Sequence, residues 1–461
     1  MMKRSPLFML KNFLVAFALA TTLLTVSCKQ PKKEVEPFKV EHASWVPSAT
    51  IYEVNLRQYT PEGTFKAFET HLPRLKELGV DILWFMPIHP IGEVNRKGSL
   101  GSYYSVKDYY GINPEYGTID DFKQVVAKAH ELGMKVIIDI VANHTSHDAV
   151  LFKEHSDWYA RDSVGNLISP FDWTDVIKLD YSKPELRKYM IDMLKYWVTD
   201  INLDGFRCDV AAEVPADFWN EARTELNAVK PIFMLAEAEN IDLMKYAFDT
   251  DYAWEFHHIM NSIAQGKKNV TDLEQYLLKK TATYPKSALK MNFITNHDEN
   301  SWNGTELERM GDAVKSMATL SFVIDGMPLI YTGQEVGFNK RLRFFDKDTV
   351  VWNDPMNMTD LYKKLTALKK KYSVLNAGET GADIFRIKTN ADSTVFAFTR
   401  ESDTEKLFMV FNLTAAKQTV KFAGDGYIGN YTEYFSGDKK VFIADQEMTL
   451  EPWDYKVYIK E

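Results

Sequence analysis

The sequence predicts an α/β fold, a (β/α)8 barrel with a short insertion domain after strand three and a C-terminal antiparallel β-sandwich. Two observations predict it. From about Thr50, short apolar runs alternate with helical stretches, as in a parallel barrel. Beyond about Gly378 the helical period ends, and short alternating strands separated by turn residues follow. The chain of 461 residues is long enough for one large core and a smaller domain.

Eight barrel strands are predicted where apolar runs end at turn residues or polar side chains. They cover residues 50–56, 80–86, 135–141, 205–210, 231–236, 247–253, 291–295 and 327–331. Helices are predicted between many of these strands, at residues 65–78, 120–132, 184–199, 218–229 and 310–324.

The domain boundaries follow from this pattern. A TIM-barrel domain is predicted over residues 48–377, and residues 143–184, which show no clear helix or strand, are predicted as the insertion domain. The β-sandwich domain is predicted over residues 378–461.

The N-terminal residues are predicted to lie outside the fold. A basic start precedes the apolar run Phe13–Val26, which is too short to span a membrane and is typical of a signal peptide. Ser27-Cys28 then resembles a bacterial lipobox, although Leu24 stands one position earlier than that pattern prefers. We predict a signal peptide over 1–28, lipidation at Cys28, a tether over 29–47, and an exported protein anchored by lipid in the bacterial cell envelope. The alternative is ordinary signal-peptidase cleavage and a free soluble protein.

Charge and cysteine content narrow the possible partners. A net charge of -9 argues against binding to nucleic acid or to anionic lipid. Membrane contact is therefore expected only through an N-terminal lipid anchor. The two cysteines, Cys28 and Cys208, lie in such different contexts that no disulfide is expected, and Cys208 is predicted to be buried beneath the outer helices.

Acidic side chains follow several of the predicted strands. In such a barrel the active site gathers at the C-terminal ends of the strands. Those ends supply three carboxylates from three strands, together with flanking basic groups: Asp209, Glu237, Asp298, Arg207, His144 and His297. An Arg–Asp pair alone would as readily be structural, but solvated surface does not explain the set. The cluster suits either glycosyl transfer or a metal-dependent hydrolase.

Four segments carry a family resemblance. They are Asp139-Ile-Val-Ala-Asn-His144, Gly205-Phe-Arg-Cys-Asp209, Leu235-Ala-Glu237 and Phe293-Ile-Thr-Asn-His-Asp298. In order and in strand position they resemble the four signature regions of the α-amylase family, glycoside hydrolase family 13. The resemblance extends from about Thr50 to Glu461 and implies a retaining glycoside hydrolase that acts on an α-glucan or maltooligosaccharide through a covalent glycosyl-enzyme.

The resemblance also implies roles. Asp209 would be the nucleophile, kept ionised by Arg207, and Glu237 the acid/base. Asp298 would hold sugar hydroxyls, with His144 and His297 as further hydrogen-bond donors. Tyr104 matches the tyrosine that stacks under the sugar at the cleavage point. The resemblance leaves open whether Asp139 is structural or catalytic.

No metal or other cofactor is expected. Many family members bind calcium through an asparagine like Asn143 and an aspartate in the insertion, but Lys178 stands where that aspartate would be. The family's Lys-His pair after the nucleophile is replaced by Ala212 and Glu213. Calcium stays possible, but its usual ligand pattern is disrupted, and we expect Lys178 to take the electrostatic place of the cation.

The substrate is predicted less closely than the reaction. The short insertion favours an open cleft, and hence cleavage of internal α-1,4-glucosidic bonds of starch or maltodextrin. A cyclomaltodextrinase-like, neopullulanase-like or glucanotransferase activity is the close alternative, because these activities share the same catalytic residues. A non-catalytic sugar-binding barrel is disfavoured because all three acids are present.

Overall fold

Eight parallel strands close into a barrel at the centre of the chain. The structure is a computed structural model that describes residues 40–461. The predicted signal peptide, Cys28 and most of the predicted tether lie outside the described residues.

The strands up to the end of the barrel alternate with helices, as predicted. In chain order they are β1 (Ile51–Val54), β2 (Ile82–Phe85), β3 (Lys135–Ile140), β4 (His144–Ser146), β5 (Val176–Lys178), β6 (Gly205–Cys208), β7 (Phe233–Ala236), β8 (Thr250–Tyr252), β9 (Leu289–Asn292) and β10 (Met327–Tyr331). All except β4 and β5 belong to the barrel, whose closed order is β1-β10-β9-β8-β7-β6-β3-β2. Each predicted strand overlaps one of these eight, which confirms the predicted fold class.

The helices of the described residues flank the barrel strands and the insertion. They are α1 (Leu56–Tyr59), α2 (Phe65–Glu69), α3 (Leu72–Leu78), α4 (Ile119–Glu131), α5 (Val150–Glu154), α6 (Pro184–Thr199), α7 (Ala216–Asn227), α8 (Trp254–Ala264), α9 (Val270–Thr283), α10 (Glu306–Met310), α11 (Val314–Val323) and α12 (Met358–Lys371).

Barrel side chains alternate between two apolar layers. Trp84, Ile137 and Leu235 fill the barrel interior, whereas Phe206 and Cys208 face outward into the layer between the strands and the helices. Cys208 is fully buried as a free thiol, which confirms its predicted place.

Some predicted elements differ from the structure. The helix predicted over 65–78 is two helices, α2 and α3. The first helix ends at Glu69, and the second begins at Leu72 with Pro73 in its first turn. The insertion is not irregular throughout: β4 and β5 pair antiparallel, with His144 opposite Lys178, and α5 lies between them. Strands of three residues are too short to give a readable alternation.

The last residues of the predicted tether are packed against the protein. The His42 ring bonds to Asp249 Oδ1 and to the Ser287 carbonyl oxygen, both at 2.8 Å, and Val46 is fully buried. Residues 40–47 therefore cover the N-terminal ends of the barrel strands, which corrects the predicted boundary at residue 47. Among residues 40–461, no helix is both long and apolar enough to cross a membrane.

The C-terminal part is antiparallel, as predicted. Its strands are β11 (Phe385–Ile387), β12 (Val395–Glu401), β13 (Lys406–Asn412), β14 (Gln418–Lys421), β15 (Gly429–Glu433), β16 (Lys439–Phe442), β17 (Glu447–Leu450) and β18 (Tyr455–Lys460). Six of them form one sheet, and β14 pairs with β17 in a second.

Candidate active site

Two of the predicted acids leave the barrel side by side. Strands β6 and β7 pair in parallel with Cys208 opposite Ala236, so Asp209 and Glu237 follow at equivalent positions. Neighbouring strands lie about 4.8 Å apart. Gly205 brings the two strands together, because a Cβ built on it would lie 1.8 Å from the Phe233 carbonyl oxygen. The sequence thus places two carboxylates at neighbouring strand ends.

Arg207 lies beneath these acids, fully buried, and holds three carboxylates together. Its Nη1 donates to Asp139 Oδ1 at 2.9 Å and to Asp209 Oδ1 at 3.0 Å. Its Nη2 forms an ion pair with Glu237 Oε2 at 2.9 Å. One cation thereby orients the acids from β3, β6 and β7.

Asp139 acts through other side chains. Both of its oxygens bind Arg207, and Oδ2 also accepts from the Tyr104 hydroxyl at 3.1 Å and from the Trp84 ring nitrogen at 3.3 Å. Burial raises the pKa of Asp139 to about 6, against the lowering effect of Arg207. With its oxygens occupied below the cavity, Asp139 positions Arg207 and Tyr104.

Asp209 keeps one oxygen free. Oδ1 accepts from Arg207, whereas Oδ2 has no hydrogen-bond partner within residues 40–461. Burial and the neighbouring Glu237 raise the pKa of Asp209 well above its ordinary value, and Arg207 opposes them. Arg207 thus favours the ionised carboxylate, as expected, but desolvation by burial outweighs the arginine.

The residue after Asp209 has an unusual backbone. Val210 has a φ of 35°, in the left-handed region that a β-branched residue rarely adopts. This conformation lets the Val210 N–H donate to Glu237 Oε2 at 2.7 Å. Since the Arg207 contact uses the same oxygen, Oε1 of Glu237 takes part in neither contact.

A second chain of contacts runs from Asp298 across the barrel. The His297 Nε2 lies 3.3 Å from Asp298 Oδ2 and 2.8 Å from the Tyr104 hydroxyl, while Nδ1 bonds to Glu53. Burial alone would lower the pKa of His297, but Asp298 and Glu53 raise it to about 9. His297 is therefore a cation that ties Asp298 and Tyr104 to the barrel.

A cavity of about 410 Å³ opens above these residues. Its lining contains six of the seven residues predicted to act in catalysis or binding, namely Tyr104, His144, Asp209, Glu237, His297 and Asp298; the seventh, Arg207, lies underneath. His144 is neutral, because burial lowers its pKa to about 3. Its Nδ1 lies 3.3 Å from the amide nitrogen of Asn143, and a hydrogen bond with the Tyr104 backbone opposes the lowering of the pKa.

Several residues of this site were not among those predicted from the sequence. Trp173, Trp302, Phe344 and Lys97 also line the cavity. All four lie outside the signature segments, Trp302 in a π-helical turn (Glu299–Asn303) and the other three on loops. Glu53 could have been identified from the sequence. It alternates with Tyr52 on β1, so its carboxylate points into the barrel interior, where a buried acid needs a partner.

The residues in the place of the family's calcium site do not fit that cation. Lys178 Nζ lies 3.2 Å from Glu213 Oε2, so the two departures seen in the sequence form an ion pair with each other. An ammonium group cannot supply the oxygen ligands that calcium needs. Within residues 40–461, no cluster of three or more His, Cys, Asp or Glu side chains could hold a metal ion.

Treatment with a chelator is expected to leave both activity and thermal stability unchanged, because Lys178 and Glu213 already neutralise each other. Activity and Tm would be compared before and after dialysis against EDTA. The Lys178→Ala protein serves as a control and is expected to lose only about 0.2–1 kcal/mol, as for other partly exposed ion pairs. Stoichiometric calcium by elemental analysis, or a fall in Tm in chelator, would contradict this expectation.

Activity is expected to fall as the pH rises through about 9, where His297 loses its proton. Its pKa lies above the unfolded value of about 6.5, so the stability it contributes is complete below that value and is lost as the pH rises through about 9. In Glu53→Gln protein, the alkaline limb of the kcat/KM profile should move to lower pH, because one carboxylate that favours the cation is gone. Glu213→Gln should leave the limb in place. An unmoved limb in Glu53→Gln would assign it to another group.

A carboxylate pair and a third acid around one cavity are the arrangement that glycoside hydrolases use. Comparison with known proteins gives the family. The model of the α-amylase catalytic domain matches residues 49–177 and 155–379, and the chain belongs to the α-amylase family. The model of the α-amylase SusG C-terminal domain matches residues 395–454.

Individual relatives agree with this assignment. Alpha-amylase 3 of Dictyoglomus thermophilum is 26% identical over 456 residues, covering 82% of this chain and 87% of the relative. An α-amylase structure from Lactobacillus plantarum is 36% identical with a TM-score of 0.82, and that of the maltogenic α-amylase AmyB from Thermotoga neapolitana is 30% identical with a TM-score of 0.83. Each match covers 90% of this chain and 99% of the solved chain.

Proposed function

We propose that this protein hydrolyses internal α-1,4-glucosidic bonds of starch or maltodextrin with retention of anomeric configuration. One observation carries the proposal. Asp209 and Glu237 extend from paired positions of β6 and β7, contact the same guanidinium, and face one cavity. That spacing suits the retaining mechanism, whose two carboxyl groups lie about 5–5.5 Å apart. The names of the relatives support an α-glucan as substrate.

In the first step, Asp209 Oδ2 attacks the anomeric carbon of the sugar held in the cavity. The bond from that carbon to the glycosidic oxygen breaks, and Glu237 transfers its proton to the leaving oxygen. The positive charge that develops on the sugar ring is stabilised by the acids that surround it. The product of this step is a glycosyl ester on Asp209.

In the second step, water attacks the same carbon. Glu237, now ionised, takes a proton from that water, and the ester bond to Asp209 breaks. Two inversions at one carbon give net retention. A sugar hydroxyl in place of water would give transfer, so the same residues serve a glucanotransferase.

The remaining residues hold the sugar. Asp298 is placed to accept hydrogen bonds from ring hydroxyls, and the ring of His144 to donate one. Tyr104, fixed at its hydroxyl by Asp139 and His297, offers its ring as a stacking surface. These contacts orient the anomeric carbon towards Asp209.

Product analysis tests this proposal. The protein would be incubated with amylose, pullulan and cyclodextrin, and the linkage, length and anomeric configuration of the products measured. Early α-configured products from amylose are expected. A clear preference for cyclodextrin would favour the cyclomaltodextrinase alternative, products longer than the substrate would favour transfer, and β-configured products would contradict the retaining mechanism.

We also propose that the protein is exported and lipid-anchored through Cys28. The support is the sequence: a basic start, an apolar stretch of signal-peptide length, and Ser27 before Cys28. In a bacterial host, the full chain should partition into the detergent phase of Triton X-114 and the Cys28→Ala chain into the aqueous phase. Equal partitioning of both chains would favour ordinary signal-peptidase cleavage.

A further inference from the structure

The loop after β2 bridges two sides of the cavity. This segment, residues 91–101, is called the wall loop. On one side, Lys97 Nζ pairs with Asp175 Oδ1 of the insertion at 2.8 Å. On the other side, the Ser99 hydroxyl donates to Asp346 Oδ1 at 2.6 Å, and the Leu100 N–H donates to the Phe345 carbonyl oxygen at 2.9 Å. The wall loop therefore joins the insertion to the loop that follows β10.

A row of aromatic rings leads from the catalytic residues to the wall loop. Tyr104 and Phe344 are parallel within 14°, with ring centres 6.2 Å apart, and Trp302 lies 5.3 Å beyond Phe344 and 5.8 Å from Phe345. Phe345 ends the row against Gly98, where a Cβ would lie only 2.4 Å from the Phe345 Cβ. Trp302 is half-exposed although it lines the cavity. Such rings suit the flat face of a sugar.

The barrel order tells which part of the substrate meets this wall. The acid Glu237 follows β7, and it protonates the oxygen of the leaving sugar, so the leaving sugar lies on that side. The wall loop follows β2, and one of its partners belongs to the segment after β10. In the closed order β2 and β10 flank β1, which lies opposite β7, whereas β3, which precedes the segment of the other partner, lies two strands from β7. The wall and the aromatic row thus flank the sugars that stay attached to the reacting carbon.

The cavity as a whole is small. The cavity that contains both the acids and the Lys97–Asp175 pair measures about 410 Å³, in the lower part of the roughly 300–1,000 Å³ typical of small-molecule sites. For a sugar bound between Tyr104 and the acids, the next unit would extend along Phe344 and Trp302, whose ring centres lie 5.3 Å apart. Beyond these rings, the wall loop stands in the way.

We propose that the wall loop, closed by the Lys97–Asp175 pair, limits the retained side of the site to two sugar units. While the pair is closed, the bond that is cleaved lies two sugar units from the chain end and a disaccharide is released. The cleavage farther inside a glucan that the proposed function includes takes place when the pair opens. This inference rests on the proposed function. It refines the prediction of an open cleft, which was based on the short insertion, because the loop after β2 and not the insertion itself forms the wall.

The test compares early products from long amylose and from a maltooligosaccharide labelled at its reducing end. Wild-type protein is expected to release mainly disaccharide. Lys97→Ala should raise the share of longer early products by roughly two- to fivefold, the range that corresponds to loss of a partly exposed ion pair. Lys97→Met, which keeps the chain length of the side chain, should show the same direction of change. Lys97 is partly exposed, so both variants are expected to fold, and Tm would be measured for each.

Two further proteins sharpen the result. In the first, the pair is exchanged by Lys97→Asp together with Asp175→Lys, and the wild-type product lengths should return. If a folded protein with the exchanged pair does not regain them, Lys97 does not act through its pair with Asp175. That result would overturn the proposal. Glu93→Gln removes an exposed ion pair of the same loop, that with Lys107, and should leave the products unchanged.

The contrary outcomes are separable. Wild-type cleavage with the same product lengths in Lys97→Ala overturns the role of the wall loop and leaves the proposed function standing. Long early products from the wild-type protein overturn it as well. If the wild-type protein cleaves no α-glucan at all, both the proposed function and this inference fail.

Discussion

Replacing Asp209 with asparagine is expected to lower kcat by about 10⁴-fold or more, the scale seen when a covalent nucleophile is removed. The amide cannot attack the anomeric carbon, and Oδ2 is the free oxygen of this residue. The measurement is the initial rate of reducing-end release from amylose.

The same substitution is expected to preserve or raise Tm near neutral pH. Burial and Glu237 raise the pKa of Asp209 above its unfolded value. Ionisation of Asp209 in the folded protein therefore lowers the free energy of unfolding. This loss of stability is absent at low pH and grows as the pH rises through the folded pKa. Asparagine removes this loss, and Arg207 keeps two other carboxylate partners. Asp217→Asn, at an exposed ion pair with Arg187, is the matched control with near-native activity. More than about one hundredth of the native kcat in Asp209→Asn would contradict the role of nucleophile.

Glu237→Gln is expected to lower activity on amylose by about 10²–10⁴-fold, as for loss of a general acid. With α-maltosyl fluoride the first step needs little acid assistance, because fluoride leaves without a proton. The variant should therefore release a rapid burst of about one fluoride per enzyme and then slow, because water attack still lacks its base. Stopped-flow detection of fluoride measures both phases.

The control for this variant is Glu213→Gln, which removes a carboxylate paired with Lys178 outside the cavity. It should behave as the native protein with both substrates. An equal loss of the first step on amylose and on the fluoride would mean that Glu237 does not protonate the leaving group.

The strand ends could be predicted from the sequence because each barrel strand is an apolar run that stops at polar residues. The alternation of strands and helices predicted that Asp209, Glu237 and Asp298 lie at one end of one barrel, and all three line the cavity. The family resemblance, outside the four signature segments, added Tyr104, which the alternation of strands and helices could not distinguish from other loop aromatics.

The supporting contacts could not be predicted in the same way, because they join distant parts of the chain. His297 meets Glu53 across 244 positions of sequence, and Lys97 meets Asp175 between two loops without regular structure. Even the sign of the pKa shift of Asp209 depends on how deeply the folded chain buries it, which the adjacent arginine does not reveal. Residues 40–47 resemble a tether in composition, and their contacts in the folded chain, such as the bond from His42 to Asp249, show that they are part of the fold.

The position of His42 has a consequence for access to substrate. It bonds to residues just before β8 and β9, at the pole of the barrel opposite to the cavity. A support attached to the chain ahead of residue 40 would therefore join the described part of the chain on the side away from the mouth of the cleft. A bulky particle such as a starch granule could then approach the mouth without meeting the support. Attachment through the rim of the mouth would obstruct the same approach.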